Sequence, residues 1–452
     1  MKKLLALVLV LIVLCSCTET DTPLTEPYKS DASDTVCDID TQGVTETGTD
    51  INTEAGAPST QAPDYVSELG FGELSESELE SMYNNADAAE KNGEAEYAHA
   101  VFAMLARRGY RDASDRERSL IRSARANVLI YDELECFIGS ENGSAFSFEC
   151  DSDFLDSAYG YLYIAAGGEP MLAYKYGGGV EIRAIDKDRA KKNVVSMAYT
   201  SLQDISGNTP VIQCLKSDGS VCLIYNKNFR SDNSDKAEIT ALEKFTSELK
   251  DVVMISVCYK SYETMYLHSD GTVSVFSYVH RNDAQTEALG RVAEWKDIVD
   301  ITYNCAYAIG LMSDGTLLRE TIGSRAQTED ESALDLSDYK VQLITSGCLT
   351  DGVLLDTYSG TPMSYVTFTD GETEQTEKYR SIVYKNGFYA IDADKNIIPS
   401  SPYYAIDQKT VDGIAYLGSF YCVTTDGDVL PFAYALDTIK DADLIERIKI
   451  SK

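Results

Sequence analysis

The residues of this chain best suited to chemistry are few, and their spacing is wrong for most of it. Three histidines, His99, His268 and His280, lie far apart with no His or Cys partner at ligand spacing, so the pattern offers no zinc site. Asp392, Asp394 and Asn396 begin like a calcium loop, but Ile397 and Tyr403 stand where that loop wants Gly and Glu. Gly177, Gly178 and Gly179 have neither the Lys-Ser/Thr pair nor the following helix of a phosphate loop. No serine sits in a Gly-x-Ser-x-Gly elbow. Asp218, Asp270, Asp314 and Asp426 recur, each directly before a glycine, and that shared place makes them turn formers rather than catalytic carboxylates. No catalytic residue, metal or cofactor is implied, and the chain reads as a non-enzyme.

Tyrosine is the suggestive residue type. The chain has 30 Tyr against 13 Phe and a single Trp. They cluster at Tyr259, Tyr262 and Tyr266, and again at Tyr303 and Tyr307. Exposed tyrosines give rigid contact area plus a hydroxyl, as binding faces favour. Tyr is also a good strand residue. These five are the candidate binding residues, placed by the sequence in loops between strands of adjacent copies of a repeat, on one face. The expected ligand is a protein, a peptide or a glycan. Nucleic acid is excluded as a partner, because 73 acidic residues face 39 basic ones and phosphate binding needs basic surface. The same net charge of -34 disfavours adsorption to anionic lipid by charge.

The N-terminus gives the location. Lys2 and Lys3 precede an apolar run from Leu4 to Leu14, too short for a transmembrane helix, which needs ~20 residues. The run ends Leu14-Cys15-Ser16-Cys17. This resembles the lipobox of bacterial lipoproteins, in which a small residue precedes the cysteine that becomes lipidated. Ser16 is small, so Cys17 fits, and Cys15 does not. The resemblance implies residues 1–16 as a signal peptide and a protein held by its acyl chains on the extracytoplasmic side of a membrane. Nine further cysteines follow, an odd number in mostly apolar runs without Cys-x-x-Cys spacing. In an exported chain that pattern fits an organism living without oxygen. Cys136 and Cys150 are the one local pair that spacing singles out.

Residues 17–64 read as a disordered acidic tether, rich in Thr and Ser and without apolar periodicity. At coil-like scaling such a tether holds the folded part roughly 35–40 Å from the anchor. Residues 65–130 change character. Ser75-Glu76-Ser77-Glu78 is a capping box, Gly93 and Gly109 mark helix ends, and Tyr97, Val101, Phe102 and Leu105 share helical spacing. A third helix is expected from Asp112 to about Asn127. The segment resembles a tetratricopeptide-like helical pair, one repeat plus one helix, which must pack on something to be stable.

Beyond residue 135 the helical signal disappears and the language is all-β. "PVIQCLKSDGSVCLIY" at 210, "ETMYLHSDGTVSVFSY" at 263, "AYAIGLMSDGTLLRET" at 306 and "FYCVTTDGDVLPFAY" at 420 are copies of one unit, and "FYAIDADKNIIPS" at 388 is a degenerate one. Turns recur near 178, 218, 270, 314, 358, 394 and 426, a period in the range of solenoids and propellers. The Asp-Gly pairs read as two-residue hairpin turns. The expected fold is therefore mainly β: a β-propeller of about seven blades over 135–452, with a small N-terminal α-helical segment and a disordered tether.

Trp295, Asp297, Ile298, Leu311, Asp314 and Gly315 resemble the repeat of the regulator of chromosome condensation family, as do Leu215, Asp218 and Gly219, and Leu267, Asp270 and Gly271. The family is a seven-bladed propeller. Val211, Glu263 and Tyr307 stand where its repeat has His. The resemblance implies fold and not the family's nucleotide-exchange role, since the residues for that are not recognisable and fold does not fix function. The reading that follows is a membrane-anchored extracytoplasmic binding protein. Its alternatives are a propeller hydrolase or lyase, marked by carboxylates and a basic residue converging near a central channel, or a structural envelope protein.

Overall fold

The computed structural model describes residues 74–131, 160–185, 192–225, 233–257, 263–277, 283–322, 341–355, 382–399, 409–431 and 448, apart from positions 127, 166, 177–178, 205–206, 304–306, 345–347, 351–352, 386–388 and 419–420. All of them fall in one compact unit, Ala62–Lys452. The signal segment, Cys17 and the tether lie outside the described residues, as do Cys136 and Cys150.

Three helices come first: α1 (Glu76–Asn92), α2 (Ala95–Ala106) and α3 (Ala113–Ala124). The capping box forms as the sequence predicts, with Ser75 and Glu78 each accepting the other's backbone N–H. Gly93 closes α1 in the left-handed region. Every residue of α2 from Glu96 to Leu105 is buried. A helix covered on all sides must be surrounded by other elements. α1 and α3 cover part of it, and the sheets cover the rest.

The remainder is mainly strand. Among the described residues there are seven small antiparallel sheets. The first holds β1 (Leu129–Tyr131), β2 (Gly160–Ala165), β3 (Glu169–Tyr176) and β4 (Gly179–Ala184). Six three-stranded meanders follow: β5 (Val194–Asp204), β6 (Gly207–Lys216) and β7 (Val221–Tyr225), then β8 (Val252–Val257), β9 (Glu263–His268) and β10 (Val273–Ser277). Next come β11 (Ile298–Tyr303), β12 (Tyr307–Met312) and β13 (Leu317–Thr321), then β14 (Leu343–Ile344), β15 (Cys348–Thr350) and β16 (Val353–Leu355). The last two are β17 (Ile382–Lys385), β18 (Tyr389–Asp392) and β19 (Ile397–Pro399), and β20 (Ile414–Leu417), β21 (Tyr421–Thr424) and β22 (Val429–Pro431).

The repeat has a shared backbone device. Gly219, Gly271, Gly315 and Gly427 end their hairpin loops at positive φ, and Lys395 takes the same conformation in the degenerate copy. Each leading aspartate is absent from the positive-φ region, so the turns are not the two-residue kind that the Asp-Gly pairs predict. The bonds Gly315 N–H to Met312 O and Met312 N–H to Thr316 O define a three-residue loop closed by a left-handed glycine. Asp218, Asp270 and Asp314 accept the backbone N–H two residues on, at 2.9, 3.0 and 2.8 Å, and so act as turn formers.

Three of these glycines, with left-handed Gly168 of the first sheet, stitch neighbouring sheets. Val194 donates to Gly168 O, Val252 to Gly219 O, Ile298 to Gly271 O and Val341 to Gly315 O, each at 3.0 Å. A second left-handed residue, Asn193, Asp251, Asp297 or Gly413, precedes the first strand of its sheet and accepts from the hairpin of that sheet. A register shift then follows one residue into the strand, at Val194, Val252, Ile298, Ile382 and Ile414. A side chain at Gly271 has no room: a Cβ there would lie 3.0 Å from the Cα of Asp297.

Strands of successive sheets lie beside one another, β2 of the first sheet on β5, then the first strands β5 on β8, β8 on β11 and β11 on β14. Tyr161, Tyr163 and Ala173 of the first sheet share one core cluster with Tyr421, Val423 and Val429 of the last. Two helices sit among the sheets, contrary to the all-β expectation: α4 (Asn233–Glu248) and α5 (Asp283–Ala293). α4 packs on β7 through Ile239 and Leu242, and α5 lies against β10 and β13. Trp295 lies between α5 and β11 and is buried. Its ring covers Gly310, where a Cβ would lie 2.7 Å from the indole.

Candidate functional site

The helices and six of the sheets meet in a network of charged contacts. α2 lies against β14, β17 and β20, and α3 against β5, β8 and β11. The pair thus touches the first strand of six successive sheets. Arginines at the helix ends reach the backbone carbonyls there. Arg107 donates to Val341 O at 3.0 Å, Ser313 O at 3.0 Å and Gln342 O at 3.2 Å. Arg122 donates to Ser217 O at 2.6 Å and Val252 O at 3.1 Å. Arg118 pairs with Asp297. On the other flank, Glu94 binds Lys395 at 2.7 Å and accepts the Gly413 N–H at 3.0 Å, and the Tyr97 hydroxyl donates to Ala393 O at 2.7 Å. All six meanders contribute to this clamp, and α2 and α3 with their flanking residues supply its other side.

Its centre is buried and ionisable. Glu96 accepts the Leu417 N–H at 2.7 Å, and Tyr384 hydrogen-bonds to its carboxylate. Loss of solvation pushes Glu96 up to about 7, against the opposing pull of those bonds and of Arg125. Arg125 pairs with Asp300 and donates to Ile344 O at 2.8 Å. Asp300 also accepts the Ile301 N–H at 3.0 Å and the Ile344 N–H at 3.3 Å. Burial raises the Asp300 carboxyl despite Arg125 beside it. Arg107 and Glu117 form a buried bidentate pair, at 2.8 and 2.7 Å. His99 is buried with no hydrogen-bond partner for its Nε2 among the described residues, and burial followed by the charges of Arg125 and Arg107 holds it well below its ordinary value.

Two carboxylates and a basic residue therefore do converge where the first strands meet. Their chemistry is that of a latch. Each carboxylate already accepts backbone N–H groups, and the helices cover them, with Glu96 6% and Asp300 2% exposed. Breaking such a pair strands a buried charge, at a cost of ~3–5 kcal/mol. The sequence reading missed every one of these residues. A signal was present: seven arginines fall within residues 107–125 of a chain with 39 basic residues in all.

The expected binding residues fare differently. Tyr259 and Tyr262 lie outside the described residues. Tyr266 and Tyr303, expected on an exposed face, are interior, at 0% and 5% exposure. Each bridges two sheets. The Tyr266 hydroxyl donates to Gln213, which in turn donates to Thr264 at 2.9 Å. The Tyr303 hydroxyl donates to the buried Glu263 at 2.6 Å, and the Tyr303 N–H donates to Ser256 at 3.0 Å. The hydroxyl is the physical reason for tyrosine here: it fills an apolar interface and still satisfies a buried polar neighbour. Tyr307 is half-buried, with the Arg319 guanidinium 4.6 Å from its ring centre. The strands flanking these tyrosines are antiparallel neighbours, β8 with β9 and β11 with β12. The segments between them join strands of one sheet, not of adjacent copies as expected.

Among the described residues no helix is long and apolar enough to cross a membrane, and no group of three or more candidate metal ligands occurs. No protein-family model, curated protein or solved structure matches the chain.

Proposed function

We propose that the chain is a lipid-anchored extracytoplasmic binding protein, built as a seven-bladed β-propeller with a helical plug at one end. The propeller reading is supported by the succession of first strands and by the core shared between the first and last sheets. Closure of that kind leaves no long exposed sheet edge. The anchor reading rests on Leu14-Cys15-Ser16-Cys17. The observation that carries the binding reading is the occupation of one end by the helices. Contact with a protein, peptide or glycan then falls to the opposite end, toward which Tyr307 and Arg319 lie. The hydrolase or lyase alternative has less support, because the carboxylates that converge are sealed beneath α2 and α3.

The test is an array of peptides and glycans probed with residues 62–452, alongside Tyr259→Ser, Tyr262→Ser and Tyr307→Ser variants. Saturable binding that the variants weaken tenfold or more is the expected result. Binding untouched by all three, or lost only on changes to exposed residues of α1, would overturn it. For the anchor, Cys17→Ala should abolish incorporation of labelled fatty acid into the full chain, and unchanged labelling would remove the lipobox reading.

A further inference from the structure

We infer that Cys214 and Cys222 form a redox-active cross-strand pair, a disulfide site that spacing alone does not single out. The two are direct register partners on β6 and β7. Paired residues of an antiparallel ladder share a face and have Cα atoms ~4.5–5.5 Å apart. A disulfide needs ~4.4–6.8 Å. The hairpin between them is held by the Lys216 N–H to Ser220 O bond at 2.9 Å and the turn at Gly219, which fixes the two as register partners. Their exposure differs: Cys214 is fully buried and Cys222 is partly exposed.

That asymmetry assigns an order of events. The oxidant is a small disulfide such as oxidised glutathione. The Cys222 thiolate attacks one of its sulfurs, the S–S bond breaks, and one thiolate leaves. The Cys214 thiolate then attacks the Cys222 sulfur and expels the second. Two S–H bonds and one S–S bond are lost, one S–S bond forms between the strands, and the two protons end on the two released thiols. Cys222 is thus the entry point and Cys214 the resolving residue. Oxidation would lock β6 to β7 on the face turned away from Leu215 and Val221, which pack toward the next sheet.

Trypsin cleaves after Lys216, inside the hairpin, which makes the bond directly readable. The peptides 193–216 and 217–227 each contain one cysteine. After incubation of residues 62–452 with oxidised glutathione and a non-reducing digest, the two peptides should be recovered joined. Cys214→Ser should instead accumulate glutathione on Cys222, and Cys222→Ser should leave Cys214 as a thiol. Recovery of both peptides as separate thiols, or each carrying its own glutathione, would overturn the pairing. Glutathione on Cys214 in the Cys222→Ser protein would overturn the order.

Discussion

Glu96→Gln isolates the buried carboxyl at the centre of the helical clamp. Gln keeps the shape and can still accept the Leu417 N–H, so the variant removes only the titration. Glu96 titrates at about 7 in the folded protein against an ordinary 4.5. A carboxyl raised on folding stabilises the fold in acid. The contribution is complete below 4.5 and is lost as pH rises through 7. At ~1.4 kcal/mol per pH unit the whole effect is ~3 kcal/mol, of which ~2 kcal/mol falls between pH 5.5 and 8. His99 acts in the opposite sense, since a histidine held neutral loses stability as pH falls below 6.5, but wild type and variant share that slope. The assay is urea unfolding of residues 62–452 at both pH values. The difference in unfolding free energy, pH 5.5 minus pH 8, should be more positive in wild type than in Glu96→Gln by ~2 kcal/mol. Equal differences in the two proteins would refute the buried-carboxyl account.

Two further outcomes follow from the clamp and the stitch. Arg125→Met strands Asp300 as a buried charge and should cost ~3–5 kcal/mol, while Arg125→Met with Asp300→Leu should recover a large part of it; a single variant as stable as the double would contradict the pairing. Gly271→Val forces a β-branched side chain to positive φ against the Asp297 backbone. The strain is ~1–2 kcal/mol and the overpacking ~1–3 kcal/mol, so the denaturation midpoint should fall by roughly 2–5 kcal/mol worth of stability. A midpoint equal to that of the same change at Gly290, which has open space at its Cβ, would count against the stitch.

Much of the fold was legible because it is written locally and repeatedly. Alternating apolar residues around Asp218, Asp270, Asp314 and Asp426 located the hairpins, and Ser75 with Glu78 located a helix start. The turn type was misread because Asp-Gly serves both a two-residue and a three-residue loop; what decides between them is the pairing of Met312 with Thr316, which no dipeptide reports. α4 and α5 were hidden because each buries only a narrow apolar stripe between copies of a strong strand repeat, although the longest step of the repeat, from 218 to 270, had room for one of them. The site was least legible. Burial of Tyr266 and Tyr303 depends on which sheet lies beside them, and the latch joins residues with no shared local pattern.

The seating of the helices also sets an order in time. Glu96 is separated from its partner Leu417 by 321 positions, and Tyr97 from Ala393 by 296. The entropic cost of such separations grows only logarithmically, so they weaken the finished protein little. They bear on its assembly much more, because contacts distant along the chain form slowly. α2 is made before the strands β14, β17 and β20 that cover its largely apolar surface. Until they are made, that surface lacks their cover. Seating β17 and β20 on α2 therefore has to bring together elements hundreds of residues apart along the chain.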